Sequence, residues 1–95
     1  MANAIVTFKV MPESPQVDME ATAPKAIQIL KDFGAKGDLQ TKVVPIAFGI
    51  KHLFIYAMFQ TTDEGLEYEQ MAEKITADCE GITETVIEKV DLAMG

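Results

Sequence analysis

The chain has 95 residues and a mass of 10.4 kDa, enough for one domain (1–95), with 48% apolar and 24% charged residues, the balance of a folded globular protein. Fifteen acidic residues against eight basic ones give a net charge of −7, which argues against a role built on gripping a phosphate backbone, so no direct nucleic-acid binding is expected. One cysteine, Cys79, excludes an internal disulfide and a Cys/His zinc framework, and points to a reducing, cytoplasmic setting.

Met1 to Ile5 has no basic stretch followed by an apolar run, so no signal peptide is expected. The most apolar tract, Val43 to Phe59, carries Pro45, Gly49, Lys51 and His52, so no membrane span is expected. From Ile5 to Met11, Val6, Phe8 and Val10 alternate with Thr7 and Lys9, the period of a half-buried strand. Met11-Pro12-Glu13-Ser14-Pro15 breaks it. Met19, Ala23, Ala26, Ile27 and Leu30 then recur at helical spacing, with Gly34 as the stop. Either Asp18 caps this helix and Pro24 kinks its early turns, or the helix starts at Thr22 with Pro24 in the tolerated first turn.

After a loop from Gly34 to Asp38, a short strand is predicted over Leu39 to Val44, halted by Pro45. A longer one follows from Ile50 to Phe59. Both its faces are apolar (Leu53, Ile55, Ala57, Phe59 and Phe54, Tyr56, Met58), as in a central strand or one whose second face meets a partner. Thr61-Thr62-Asp63-Glu64-Gly65 reads as a turn with capping chemistry. A second helix has Tyr68, Met71, Ala72, Ile75 and Cys79 on one stripe, ends at Gly81, and precedes a last strand from Ile82 to Val90. The order strand, helix, strand, strand, helix, strand predicts an α+β ferredoxin-like βαββαβ sandwich: a four-stranded antiparallel sheet, first and third strands central, both helices on one face.

No P-loop, GxGxxG, HExxH or nucleophile elbow is present. His52 has no second histidine and reads as a surface or edge residue, Cys79 reads as core. Glu64, Glu67, Glu69, Glu73, Asp78 and Glu80 read as one solvated helix face rather than as acid/base machinery. Two stretches stand apart from scaffolding: Met11 to Pro15, and the apolar loop Pro45-Ile46-Ala47-Phe48-Gly49-Ile50-Lys51. Loops normally face water, so Ile46 and Phe48 either tuck over the sheet end or await a partner.

Val10-Met11-Pro12-Glu13-Ser14-Pro15, with Val17-Asp18-Met19-Glu20 behind it, resembles the amino-terminal signature of the archaeal translation elongation factor 1-beta family. Pro45-Ile46-Ala47-Phe48-Gly49-Ile50-Lys51-His52-Leu53 is similar to that family's strongest motif, shared with the exchange domain of eukaryotic relatives. The resemblance spans nearly the whole chain. It implies a guanine-nucleotide exchange factor for elongation factor 1-alpha, with no cofactor and no covalent chemistry, in the fold derived above. It further implies that Phe48 is the loop aromatic that anchors the GTPase, with Pro45, Ile46, Gly49, Ile50 and Lys51 shaping or flanking the loop and Met11 and Pro12 on the same surface. Eukaryotic relatives place a lysine next to the carboxyl terminus, thought to disturb the GTPase's magnesium site. This chain departs from them, closing Val90-Asp91-Leu92-Ala93-Met94-Gly95, and leaves Lys89 and Lys51 as the basic residues in question.

Two readings of other classes share the topology. An RNA-binding module would stack bases on Phe54 and Tyr56, against which stand the net charge and the missing basic aromatic signature. A small-molecule-sensing domain that dimerises through its sheet would use the open apolar face but leave the Pro45-to-Lys51 loop unexplained.

Overall fold

A computed structural model describes residues 2–60 and 67–94. Six elements follow in the predicted order: β1 (Ala2–Pro12), α1 (Met19–Asp32), β2 (Lys36–Pro45), β3 (Lys51–Gln60), α2 (Tyr68–Asp78) and β4 (Ile82–Met94). The sheet order is β2-β3-β1-β4, with every pairing antiparallel. The first and third strands are therefore central. The predicted turn from Thr61 to Gly65 lies outside the described residues.

The alternation read along the chain is the alternation of burial. Val6, Phe8 and Val10 of β1 and Leu53, Ile55, Ala57 and Phe59 of β3 are buried in one cluster. Met19, Ala23, Ala26, Ile29 and Leu30 of α1 and Met71, Ala72 and Ile75 of α2 complete it. The Tyr68 ring meets Phe59 at a centroid distance of 5.3 Å, tying the start of α2 to the end of β3. Phe54 and Tyr56 point the other way, opposite Lys9 and Thr7 of β1, and are half-buried. Cys79 is 4% exposed and belongs to the core cluster.

Helix α1 starts at Asp18, whose carboxylate accepts the N–H groups of Glu20 and Ala21 at 3.1 and 3.2 Å. Pro24 sits inside the helix with its ring exposed. Capping by an aspartate at the head of the apolar stripe outweighs the local preference for proline in the first turn. The other end is a Schellman motif: Ala35 N–H donates to Leu30 C=O and Gly34 N–H to Lys31 C=O, both at 3.0 Å, with Gly34 at φ +114°.

Three strands run longer than their hydrophobic alternation. β1 extends to Pro12, opposite Ile82, and β4 to Met94, opposite Ala2. β2 begins at Lys36, opposite Met58, with an irregular register before Gln40. In each case hydrogen bonding to a neighbouring strand, rather than the strand's own side chains, sets the end. No helix of the described residues is long and apolar enough to cross a membrane.

Candidate functional site: the β2–β3 hairpin tip

The pairs Pro45↔Lys51, Val10↔Leu53 and Pro12↔Ile82 bring the β2–β3 hairpin, the β1–α1 connection and the α2–β4 junction to one end of the sheet. At the hairpin, Ile50 N–H donates to Ala47 C=O at 3.0 Å and Ile46 N–H to Ile50 C=O at 2.8 Å. The two central residues, Phe48 and Gly49, have φ of +56° and +80°. Positive φ at both makes this a type I′ turn, whose twist matches that of the flanking strands.

The first central position of such a turn ordinarily holds Asn, Asp or Gly, because a Cβ clashes with the following carbonyl in this conformation. Here it holds a phenylalanine, the single non-glycine residue with positive φ among the described residues. Left-handed backbone at a residue with a side chain costs about 1 kcal/mol. Burial of the ring would offset that, yet Phe48 is 96% exposed and Ile46 is 54% exposed. The ring gains nothing within its own chain. The sequence left two possibilities for these side chains, and the structure chooses projection into solvent.

Around the tip, Pro45, Gly49 and Lys51 are exposed and Ile50 is half-buried. Pro12 is buried and Met11 half-buried, opposite Glu84 on the helix-free face of the sheet. Lys89 lies elsewhere. It pairs with Thr7, which pairs with Tyr56, so it sits about 16 Å along the strands from Lys51. Its ammonium group lies 3.5 Å from the Asp91 carboxylate. Of the two basic residues in question, only Lys51 stands beside the loop.

The remaining titratable candidates fall into scaffold positions. Glu67, Glu69, Glu73 and Glu80 are exposed along or beside α2, and Asp78 pairs with Lys74 one turn back at 2.9 Å. Glu64 lies outside the described residues. His52 is half-buried opposite Val44. Burial raises the Cys79 thiol pKa above 9.0, with Lys25 opposing and Asp78 adding to the shift. A thiol so held is a poor nucleophile.

Reasoning from sequence missed the strain at Phe48 and the contact between the two unusual stretches. A Cβ placed on Gly49 would lie 3.4 Å from Cβ of Pro15. The signal for the strain was present as an X-Gly pair between two strands, the mark of a two-residue turn. The contact with Pro15 had no local signal.

Residues 5–94 match the model of the EF-1 guanine nucleotide exchange domain. Among curated relatives, elongation factor 1-beta of Methanocorpusculum labreanum is 36% identical over 93 residues, 96% of each chain. That of Methanosphaerula palustris is 35% identical over 92 residues, 97% of this chain and 99% of the relative. The chain matches elongation factor 1-beta of Nanoarchaeum equitans at 35% identity over 55 residues, 58% of this chain and 65% of that relative.

Proposed function

The chain belongs to the EF-1 guanine nucleotide exchange domain family, and we propose that it works by inserting the Phe48 tip of its β2–β3 hairpin into elongation factor 1-alpha. It is a translation elongation factor that acts in guanine-nucleotide exchange. The observation that carries the reading of the site is the 96% exposed aromatic ring on a strained two-residue turn. An exposed, pre-positioned aromatic is suited to serve as a binding anchor, and strain kept at a place where the fold does not need it points to function.

The action requires no covalent step. The factor binds the form of the GTPase that holds GDP poorly, so GDP leaves and GTP enters. The coupling is reciprocal: bound GDP weakens the factor as much as the factor weakens GDP. A 10⁴-fold weakening corresponds to about 5.5 kcal/mol of differential binding. One well-buried aromatic anchor supplies about 2 kcal/mol or more, so Phe48 accounts for roughly a third of that figure and flanking contacts from Ile46 and Lys51 for some of the rest. Lys51, beside the loop, is the basic residue we assign to the same contact; Lys89 would require a second contact further along the sheet.

The test is release of a fluorescent guanine nucleotide from elongation factor 1-alpha, with catalytic amounts of the protein. Release is expected to accelerate with the native chain. With Phe48→Ala the acceleration is expected to fall about thirtyfold or more, as for loss of a binding hot spot. The unfolding midpoint should move by less than about 4 °C, since no burial is lost. An unchanged release rate with the native protein would remove the exchange reading. A collapse in stability with Phe48→Ala would make the residue structural.

A further inference from the structure

The β1–α1 connection, residues 13–18, is fastened at both ends. Glu13 N–H donates to Gly81 C=O at 2.9 Å, joining it to the α2–β4 junction. Val17 rests directly on the same glycine: a Cβ on Gly81 would stand 2.9 Å from Cγ2 of Val17, closer than real atoms approach. Val17 N–H donates to Ser14 C=O at 3.3 Å, closing a turn whose second residue is Pro15. Proline at that position has its φ already set for the turn. Asp18 then caps α1. The connection is thus a stiff brace, pinned by the α2–β4 junction on one side and by a helix on the other.

The apex of this brace stands beside the hairpin, within one side-chain atom's reach of it. The atoms that a Cβ on Gly49 would meet are Cβ and Cγ of Pro15, at 3.4 and 3.9 Å. Gly49 is the residue that follows Phe48 in the turn, so a chain of neighbours runs from Gly81 through Glu13 and Val17 to Pro15 and then to the backbone of the turn that carries Phe48. A two-residue turn that projects an exposed ring has little of its own to fix its direction. A rigid neighbour on the flank of the turn supplies it, and ordering the tip before binding lowers the entropy lost on docking.

We propose that Pro15 is a positioning residue: it buttresses the β2–β3 turn and holds Phe48 in the orientation that docks. This inference rests on the reading of the Phe48 tip given above. The Pro15 side chain is exposed and contributes little to the core, so its replacement leaves the fold in place.

The test is a double-mutant cycle read by nucleotide release, with amide hydrogen exchange as a second readout. Pro15→Gly is expected to lower the stimulated release rate about three- to tenfold, the range for a pair in direct contact. In the Phe48→Ala background the same substitution should cost nothing further, because the ring it positions is gone. Pro15→Ala keeps the Cβ that faces Gly49 and should retain most of the rate. Hydrogen exchange of the Ile50 amide, which closes the turn, should quicken in Pro15→Gly and stay close to native in Pro15→Ala. Equal losses from Pro15→Gly in both backgrounds would overturn the buttress and leave the Phe48 reading standing. If Phe48→Ala itself leaves release unchanged, the reading of the tip fails. The Ile50 amide then decides the buttress alone: unaltered exchange in Pro15→Gly overturns it, because that measurement needs no GTPase.

Discussion

If Phe48 anchors the GTPase as proposed, it sets stability and function against each other at one position. Its φ of +56° is one that Asn adopts far more readily than an aromatic residue, and Asn is preferred in this turn. Phe48→Asn should therefore stabilise the fold by about 0.5 to 1 kcal/mol, the usual gain from relieving a strained functional position. The same variant should lose stimulated nucleotide release as fully as Phe48→Ala. Denaturant unfolding and the release assay read the two effects separately, with opposite signs expected. A variant that unfolds more easily, or one that still accelerates release, would contradict the account of the turn. Gly49 differs because its φ of +80° favours a residue without a side chain, although a Cβ there would meet Pro15 only at an ordinary contact distance.

At the scale of elements, the helix ends are where sequence chemistry and geometry agree most closely. The Asp18 carboxylate satisfies two N–H groups that α1 leaves without intrahelical partners, and the hydroxyl of Thr22 donates back to Asp18 C=O at 3.2 Å. Asp18→Ala should destabilise the protein by about 1 kcal/mol. A domain of this size should then unfold about 4–8 °C lower in a thermal melt. By contrast, the exposed Lys74–Asp78 pair on α2 should contribute little, as such surface pairs do. If Asp18→Ala melts at the native temperature, the cap is not a source of helix stability. Pro24, inside α1, removes one helical N–H, and the strong cap and the buried stripe of the helix compensate for it.

Across the whole molecule, charge is unevenly distributed along the chain. The segment from Lys36 to Gln60, which includes the β2–β3 hairpin, holds three lysines and one acid, whereas the rest of the chain holds five lysines and fourteen acids. The segment that carries the candidate site is thus net positive by two charges, and the rest of the chain carries a net charge of −9. Beneath the helices, Cys79 makes the core sensitive to alkali. Burial keeps its thiol protonated in the folded state, with a pKa above 9.0, while the unfolded chain gives up that proton near the ordinary value. Above about pH 9 the unfolded state therefore binds fewer protons than the folded one, and stability falls as pH rises. Between about pH 8 and pH 10, the native chain should lose stability faster than Cys79→Ala, as measured by chemical unfolding at each pH. Parallel losses in the two proteins would show that the thiol ionises as freely in the fold as outside it.

Much of this architecture was readable because the information is local. The alternation of Val6, Phe8 and Val10, the helical stripe through Ala26 and Leu30, the Asp18 cap and the Gly34 stop each follow from neighbours within a few residues. Two apolar faces on β3 marked it as a central strand, which its place between β2 and β1 bears out. The loop from Pro45 to Lys51 could be singled out because apolar side chains in a connection need a reason. Strand ends were not readable, since Lys36 joins the sheet through Met58, and Met94 through Ala2, across long stretches of chain. Whether Phe48 covers the sheet or leaves it was equally undetermined, because burial depends on which surfaces the fold brings near, and here none reaches the ring. The sequence by itself determined the order of elements, the core and the loop that merits attention. The tertiary structure turns this aromatic to water and sets Pro15 beside its flank, and both are relations between residues the chain keeps far apart, whereas the strain at Phe48 is local to its Phe-Gly pair.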